Sequence, residues 1–262
     1  MDNVGLVLAL VGGLLALALL FWFARNQMRM GRVSETLIDA EEALDRGEVE
    51  RARELTAPIL ARYPQVAIVQ DVSADVLYAT GDPLSAASLY ERAMKKLGPE
   101  RVAPKLVAAY AALNRAGDAR RVAALAPNDP MTRLALTWSE LAAVGGDREK
   151  GRLLADEIAL DGELRSTPAG EAMSCVLEAI ASARAGQTTR ARDALDRAGV
   201  QRENLAAHDR AFVGYLGGIA LLEMGARADA RETWTMAMDA APETIGAALA
   251  RRERSHLPEE QD

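Results

Sequence analysis

The feature that most constrains the fold is a helical hairpin pattern between Asp75 and Pro99. One apolar-periodic segment runs up to the turn residues Thr80, Gly81 and Asp82, and a second periodic segment follows the turn. Residues three and four apart lie on one face of a helix, and glycine can take the positive φ with which many helices end. The stretch therefore predicts two antiparallel helices joined by a tight turn.

The same pattern returns along the chain, with turn glycines expected at positions 47, 81, 117, 146, 186 and 225. In the third unit the pattern predicts a helix from Val102 to Arg115, a turn at Gly117-Asp118, and a second helix that Pro127 and Pro130 cut short. No stretch shows the alternating Val, Ile, Thr and aromatic residues of a strand. The predicted fold class is therefore all-α, an α-solenoid of about six helical hairpins.

The small, turn and proline positions of these units resemble the tetratricopeptide repeat. The matching residues are Ala40, Gly47, Ala52 and Pro64 in the first unit, Ala74, Gly81, Ala86, Tyr90 and Ala93 in the second, and Gly218, Gly225, Ala230, Trp234, Ala237 and Pro242 in the sixth. The resemblance covers residues 34 to 254, with a capping helix at Glu243–Arg254. It implies a stacked array whose first helices line a concave groove for a peptide or helix of a partner protein.

The resemblance also implies which residues face that groove. They are Leu37, Glu41 and Leu44 in the first unit, Ile68, Asp71, Asp75 and Tyr78 in the second, Val107 and Asn114 in the third, and Phe212, Tyr215, Ile219 and Leu222 in the sixth. Such a groove would be apolar with an acidic entrance, suited to an amphipathic or basic segment held by apolar anchors. Tyr78 and Tyr215 are the expected anchors. The competing interpretation is that these side chains pack against the next hairpin and face no ligand.

A separate feature near the amino terminus predicts a membrane anchor. The 20 residues from Val4 to Phe23 carry no charge, and as a helix they would span about 30 Å, the thickness of a bilayer core. Arg25, Arg29 and Arg32 follow this span, whereas Asp2 is the charged side chain before it. The positive-inside rule then favours an inner-membrane protein with cytoplasmic repeats, although a periplasmic orientation stays open. A cleaved signal peptide is disfavoured because no basic segment precedes the span.

Composition excludes several other classes. A net charge of −7 without a basic stripe disfavours nucleic-acid binding. A single cysteine, Cys175, rules out an internal disulfide and cysteine-based zinc sites. His208 and His256 stand in no metal-binding spacing, and no phosphate-binding or nucleophile motif is present. The expectation is a non-enzymatic protein without catalytic, metal or cofactor-binding residues.

The predicted organisation is a transmembrane anchor at 1–24, a basic joint at 25–33, the helical array at 34–254 and a flexible acidic tail at 255–262. The favoured function is a membrane-anchored scaffold that docks a partner protein in the groove. Two alternatives stay open: a periplasmic-facing assembly or chaperone-like factor for envelope or cytochrome proteins, and a structural accessory subunit of a larger membrane complex. The topology is similar to that of membrane-anchored repeat proteins of bacterial lipopolysaccharide assembly, but their four-cysteine rubredoxin-like metal module has no counterpart here.

Overall fold

A computed structural model describes residues 31–143 and 145–257 of the chain. Within these ranges the protein forms thirteen α-helices and two short 3-10 turns, and no strand. The predicted all-α class is confirmed for this part of the chain, and the arrangement is consistent with an α-solenoid. None of the helices in these ranges is long and apolar enough to cross a bilayer. The predicted span Val4–Phe23 lies outside the described residues.

The helices pair into six antiparallel hairpins followed by a single last helix. In chain order they are α1 (31–45), α2 (Val49–Arg62), α3 (Ala67–Ala79), α4 (Pro83–Leu97), α5 (Pro99–Ala112), α6 (Ala116–Ala123), α7 (Pro130–Ala142), α8 (Arg148–Ile158), α9 (Pro168–Arg184), α10 (Thr188–Val200), α11 (Ala207–Glu223), α12 (Arg227–Ala240) and α13 (Ile245–His256). The 3-10 turns Leu164–Ser166 and Arg202–Asn204 precede α9 and α11. The first helix of each hairpin is called the A helix below and the second the B helix.

Five of the six A helices end in the same way, with a residue of left-handed conformation two positions before the B helix begins. These residues are Gly47, Gly81, Asn114, Gly186 and Gly225. In hairpin 2 the N–H of Gly81 donates to the carbonyl of Tyr78 at 3.0 Å, and the N–H of Asp82 donates to that of Leu77 at 2.9 Å. The two bonds satisfy carbonyls that the end of a helix leaves without an intrahelical partner, which fixes the direction of the turn.

The third turn lies at Asn114, so the predicted turn at Gly117-Asp118 is wrong. Asn114 has a φ of 58°, whereas Gly117 lies in the first turn of α6. Asparagine adopts the left-handed conformation more readily than most residues because its short amide can hydrogen-bond locally. The turns therefore fall at positions 47, 81, 114 and 145, at nearly even intervals, and then at 186 and 225 after longer ones. The first hairpins are thus more regular than the glycine spacing indicated.

The hairpins form two layers, with A helices inside and B helices outside. α9 buries 12 of its 17 residues, whereas its partner α10 buries three of 13. The small residues of the repeat pattern lie where the helices cross; Ala74, Ala86, Ala179 and Ala191 are fully buried. Burial of this apolar surface, worth roughly 25 cal/mol per Å², is the main stabilising term of such a stack.

The inner layer curves until the last hairpin meets the first. Nδ1 of His208 in α11 lies 3.9 Å from the position that a Cβ on Gly47 would take, at the turn of hairpin 1. The ring of Phe212 in α11 meets the ring of Trp138 in α7 edge-on, with 4.8 Å between the centroids. The A helices are thus enclosed on the side that an open superhelix would leave free.

Candidate functional site at the inner face

The inner face is the surface formed by the A helices, and α13 lies on it. A Cβ on Gly246 would stand 2.5 Å from the backbone nitrogen of Phe212, so α13 crosses α11 almost backbone to backbone. Cβ of Ala248 lies 3.4 Å from the position of a Cβ on Gly81, at the turn of hairpin 2. Nη1 of Arg252 donates to the carbonyl of Ala112, at the end of α5, at 3.2 Å. The last helix therefore joins hairpin 6 to hairpins 2 and 3.

The structure places the predicted groove residues in three apolar clusters. Leu37, Leu44 and Ile68 pack in the cluster of hairpins 1 and 2, and Val107 is buried in that of hairpins 2 and 3. Tyr78, Phe212, Tyr215, Ile219 and Leu222 pack in the third cluster, together with Leu249 and Ala250 of α13. Glu41 is partly exposed on α1, and Asn114 forms the third turn.

The two expected anchors thus come together in one apolar cluster, in which Tyr215 is buried and Tyr78 is partly buried. Burial raises the pKa of the Tyr78 hydroxyl and that of the Tyr215 hydroxyl far above the ordinary value. The Phe212 and Tyr215 rings are tilted against each other, with centroids 5.9 Å apart. In this arrangement α13 packs on both helices of hairpin 6, and its Leu249 and Ala250 share the cluster with the two tyrosines.

The predicted acidic entrance is neutralised, which corrects that expectation. Asp71 is fully buried; its Oδ2 accepts from Nε of Arg101 at 2.8 Å and its Oδ1 from Nζ of Lys105 at 3.2 Å. Asp75 accepts from Lys105 at 2.6 Å and from the hydroxyl of Tyr90 at 2.7 Å. Burial raises the pKa of Asp75, although Lys105 and Tyr90 act in the opposite direction. The two carboxylates of α3 are therefore held by two cations of α5, in a network that joins hairpins 2 and 3.

The sequence contains a signal for this network, but the signal is visible only when neighbouring units are compared with each other. Asp71 and Asp75 are four residues apart on one A helix, and Arg101 and Lys105 are four apart on the next. The offset of 30 residues between the pairs, seen in the bond from Arg101 to Asp71, is close to one repeat length. Two pairs of opposite charge in the same frame of neighbouring units predict an ion-pair network between the units.

Two further buried carboxylates hold other junctions of the array. Both oxygens of the fully buried Glu140 accept from Arg120, at 2.6 Å each, which joins hairpins 3 and 4. Glu178 accepts from Arg190 at 3.0 Å and from Arg197 at 2.6 Å, which fixes α10 to α9. Breaking such a pair on one side only would leave a buried charge without its partner, so these bonds specify how the hairpins stack.

Cys175 lies in the core of α9, and burial raises the pKa of its thiol to about 11. In residues 31–143 and 145–257, no group of three or more His, Cys, Asp and Glu side chains is arranged to hold a metal ion.

No protein-family model matches the chain, and no curated protein matches it. The fold and the inner face together define a class, a two-layer stack of helical hairpins that holds its own C-terminal helix on its inner side.

Proposed function

We propose that the protein is a membrane-anchored, non-enzymatic interaction scaffold of the tetratricopeptide type, which docks an amphipathic, basic helix of a partner protein on its inner face. The observation that carries the proposal is α13 itself. It lies on the inner face, in contact with hairpins 2, 3 and 6. A surface that holds one such helix has the shape and chemistry to hold another.

The chemistry of α13 matches the segment that the sequence predicts for the groove. Ile245 and Leu249 are buried apolar anchors near its start, and Arg251, Arg252 and Arg254 follow at its end. The bond from Arg252 places a cation at the carbonyl end of α5, where the helix dipole favours positive charge. A partner helix would use the same two elements, apolar anchors followed by arginines.

A partner helix must take the place of α13, and this makes docking dependent on the C-terminal helix. The apparent affinity for the partner is reduced by the fraction of chains in which α13 is released from the inner face. Any event that increases the fraction of chains with α13 released then raises the apparent affinity for the partner in proportion to that increase.

The test uses a fluorescent peptide with the sequence of residues 243–257 as a stand-in for the partner helix. In the Gly246→Ala variant a methyl group meets the backbone of Ala211 and Phe212 at 2.5 to 2.7 Å, which forces α13 away from α11. We expect this variant to bind the peptide at least about tenfold more tightly than the parent chain. The matched control is Gly117→Ala, because a Cβ on Gly117 has nothing within 4 Å.

Two outcomes would contradict the proposal: equal binding of the peptide by the Gly246→Ala and parent chains, or binding that persists when the peptide carries Leu249→Asp. Circular dichroism of each variant shows whether the helices are retained. In cells, a photo-crosslinking residue in place of Tyr78 should form adducts with a separate protein, and more of them in the Gly246→Ala background.

The membrane part of the proposal rests on the uncharged span Val4–Phe23 and the arginines after it. A reporter that is active on one side of the membrane, fused after Asp262, tests the orientation. Activity in the cytoplasm supports the scaffold, and activity in the periplasm favours the assembly-factor alternative instead.

A further inference from the structure

An open apolar cleft lies in the outer layer between hairpins 5 and 6, away from the inner face. It has a volume of about 130 Å³. Its floor is made of small residues from three helices: Ala198 of α10, Gly214 and Gly217 of α11, and Ala237 of α12. Leu195 and Val213 form apolar walls.

The cleft is open because the two hairpins are spaced apart in the outer layer. Elsewhere a B helix packs along the next A helix, as α4 does along α5, but α10 makes few contacts with α11. The connection between them contains the 3-10 turn Arg202–Asn204. A Cβ on Gly217 would meet Leu195 and Thr233 at 3.8 Å, an ordinary contact distance, so the floor has room for one more methyl group at this position.

The size of the cleft fits one apolar side chain. Apolar cavities of about 150 Å³ accept a molecule the size of benzene. Met236, which lines the cleft, is a large apolar side chain with 37% of its surface exposed. A phenylalanine or leucine side chain that entered the cleft would contact it.

Two arginines, Arg202 and Arg210, line the cleft. The guanidinium of Arg202 contacts Sδ of Met236 at 3.6 Å, and neither arginine has a salt-bridge partner within the described ranges. Arg190 and Arg197 on α10, by contrast, are held by Glu178. The chain as a whole carries a net charge of −7.

We propose that this cleft is a second docking site, for a segment of a partner protein in which one phenylalanine or leucine is flanked by acidic residues. The apolar side chain enters between α10 and α12, and the flanking carboxylates pair with Arg202 and Arg210. The inference rests on the proposed function in that the occupant of the cleft is a protein. The segment that binds the cleft must carry negative charge, whereas the helix that binds the inner face carries positive charge.

The test uses two short peptides, each with a central para-fluorophenylalanine. In the first peptide two glutamates stand on either side of this residue, and in the second two lysines do. Fluorine NMR of the peptides is recorded with the full-length chain. We expect the glutamate peptide to bind with a Kd on the order of 0.1–1 mM and the lysine peptide to bind at least about tenfold more weakly.

Variants locate the binding. Gly199→Phe should fill the cleft, since Gly199 lines it and a Cβ there has nothing within 4 Å. We expect about a tenfold loss of binding, and a similar loss for Arg202→Glu combined with Arg210→Glu. The matched controls are Gly117→Phe, on a helical glycine with equal free space, and Arg192→Glu, on an exposed arginine of α10 outside the cleft. Both should bind as the parent chain does.

The proposal is overturned if the lysine peptide binds as well as the glutamate peptide, if neither binds at about 1 mM, or if binding survives Gly199→Phe. The cleft variants leave α13 and the inner face unchanged, so the peptide of residues 243–257 should bind them as it binds the parent chain. Failure at the cleft is thereby distinguished from failure of the proposed function.

Discussion

Two adjacent glycines of α11 offer a direct test of the packing, because the structure predicts opposite effects for the same substitution. A Cβ on Gly218 would collide with the indole of Trp234, at 2.5 Å from Cδ1 and 2.6 Å from Cε2. Trp234 is fully buried and cannot move into solvent, and its Nε1 donates to the carbonyl of Tyr215 at 2.9 Å. A Cβ on Gly217 would meet Leu195 and Thr233 at 3.8 Å, which is ordinary contact.

The magnitudes follow from these distances. For Gly218→Ala, overpacking costs about 1–3 kcal/mol and the strained or lost indole hydrogen bond about 1 kcal/mol. The better helix propensity of alanine returns about 1 kcal/mol, so the free energy of unfolding should fall by about 1–3 kcal/mol. For Gly217→Ala the propensity term stands alone, and the free energy of unfolding should rise by up to about 1 kcal/mol.

The assay is thermal unfolding of the full-length chain, followed by the circular dichroism signal of its helices. At about 2–4 °C per kcal/mol for a chain of this size, Gly218→Ala should lower the Tm by roughly 3–10 °C, and Gly217→Ala should raise it slightly. A Gly218→Ala protein that melts at or above the parent temperature would refute the packing of α11 against α12. In the Trp234→Phe background the added methyl should cost less, because the smaller ring leaves space, and the double-mutant cycle measures this coupling.

Two further predictions concern ionisable groups in the core. Burial raises the pKa of Glu178, but the guanidinium groups of Arg197 and Arg190 outweigh this effect, and the net result is a pKa below the usual value. Glu178→Gln should therefore destabilise the fold at pH 7, and the difference in urea midpoint between variant and parent should shrink as the pH falls below about 4. A difference in urea midpoint that does not depend on pH would exclude the ionised pair. Burial raises the pKa of the Cys175 thiol to about 11. This thiol should therefore react with a disulfide reagent at pH 8 only after the protein unfolds. Rapid reaction in the native protein would show that α9 is not buried as described.

Much of the fold could be predicted from the sequence, because each hairpin is specified locally. The apolar period gives the helices, and Gly47 and Gly81 give the first two turns. The error at the third turn has a physical reason: Asn114 takes a conformation in which glycine is more common, and Gly117 stands in a helix because nothing there excludes it. Repeating the interval between Gly47 and Gly81 once more would have pointed to the immediate neighbour of Asn114.

The inner face could be predicted only in part, because its residues were identified but their neighbours were not. Tyr78, Phe212 and Tyr215 pack in one cluster, and for Tyr78 the neighbours in this cluster come from the far end of the chain. Asp71 and Asp75 look like a free acidic patch when their own helix is considered alone. Their cations lie on the next A helix, about one repeat away, and a pattern within one unit does not contain them.

The curvature that closes the inner face depends on connections that carry no periodic signal. The turns at positions 47, 81, 114 and 145 are nearly evenly spaced, whereas those at 186 and 225 follow after longer intervals. The 3-10 turns Leu164–Ser166 and Arg202–Asn204 lie in these two long intervals. After the second of these intervals, α11 of hairpin 6 meets Gly47 and α13 meets Gly81.

The second 3-10 turn lies in the connection between α10 and α11, two of the helices that line the outer cleft. The same connection leads into α11, on which α13 packs, so it bears on both surfaces. For this reason a change in the length of the 201–206 connection should alter the binding of both the inner-face peptide and the cleft peptide. Gly246→Ala should alter the binding of the inner-face peptide alone, and Gly199→Phe that of the cleft peptide alone.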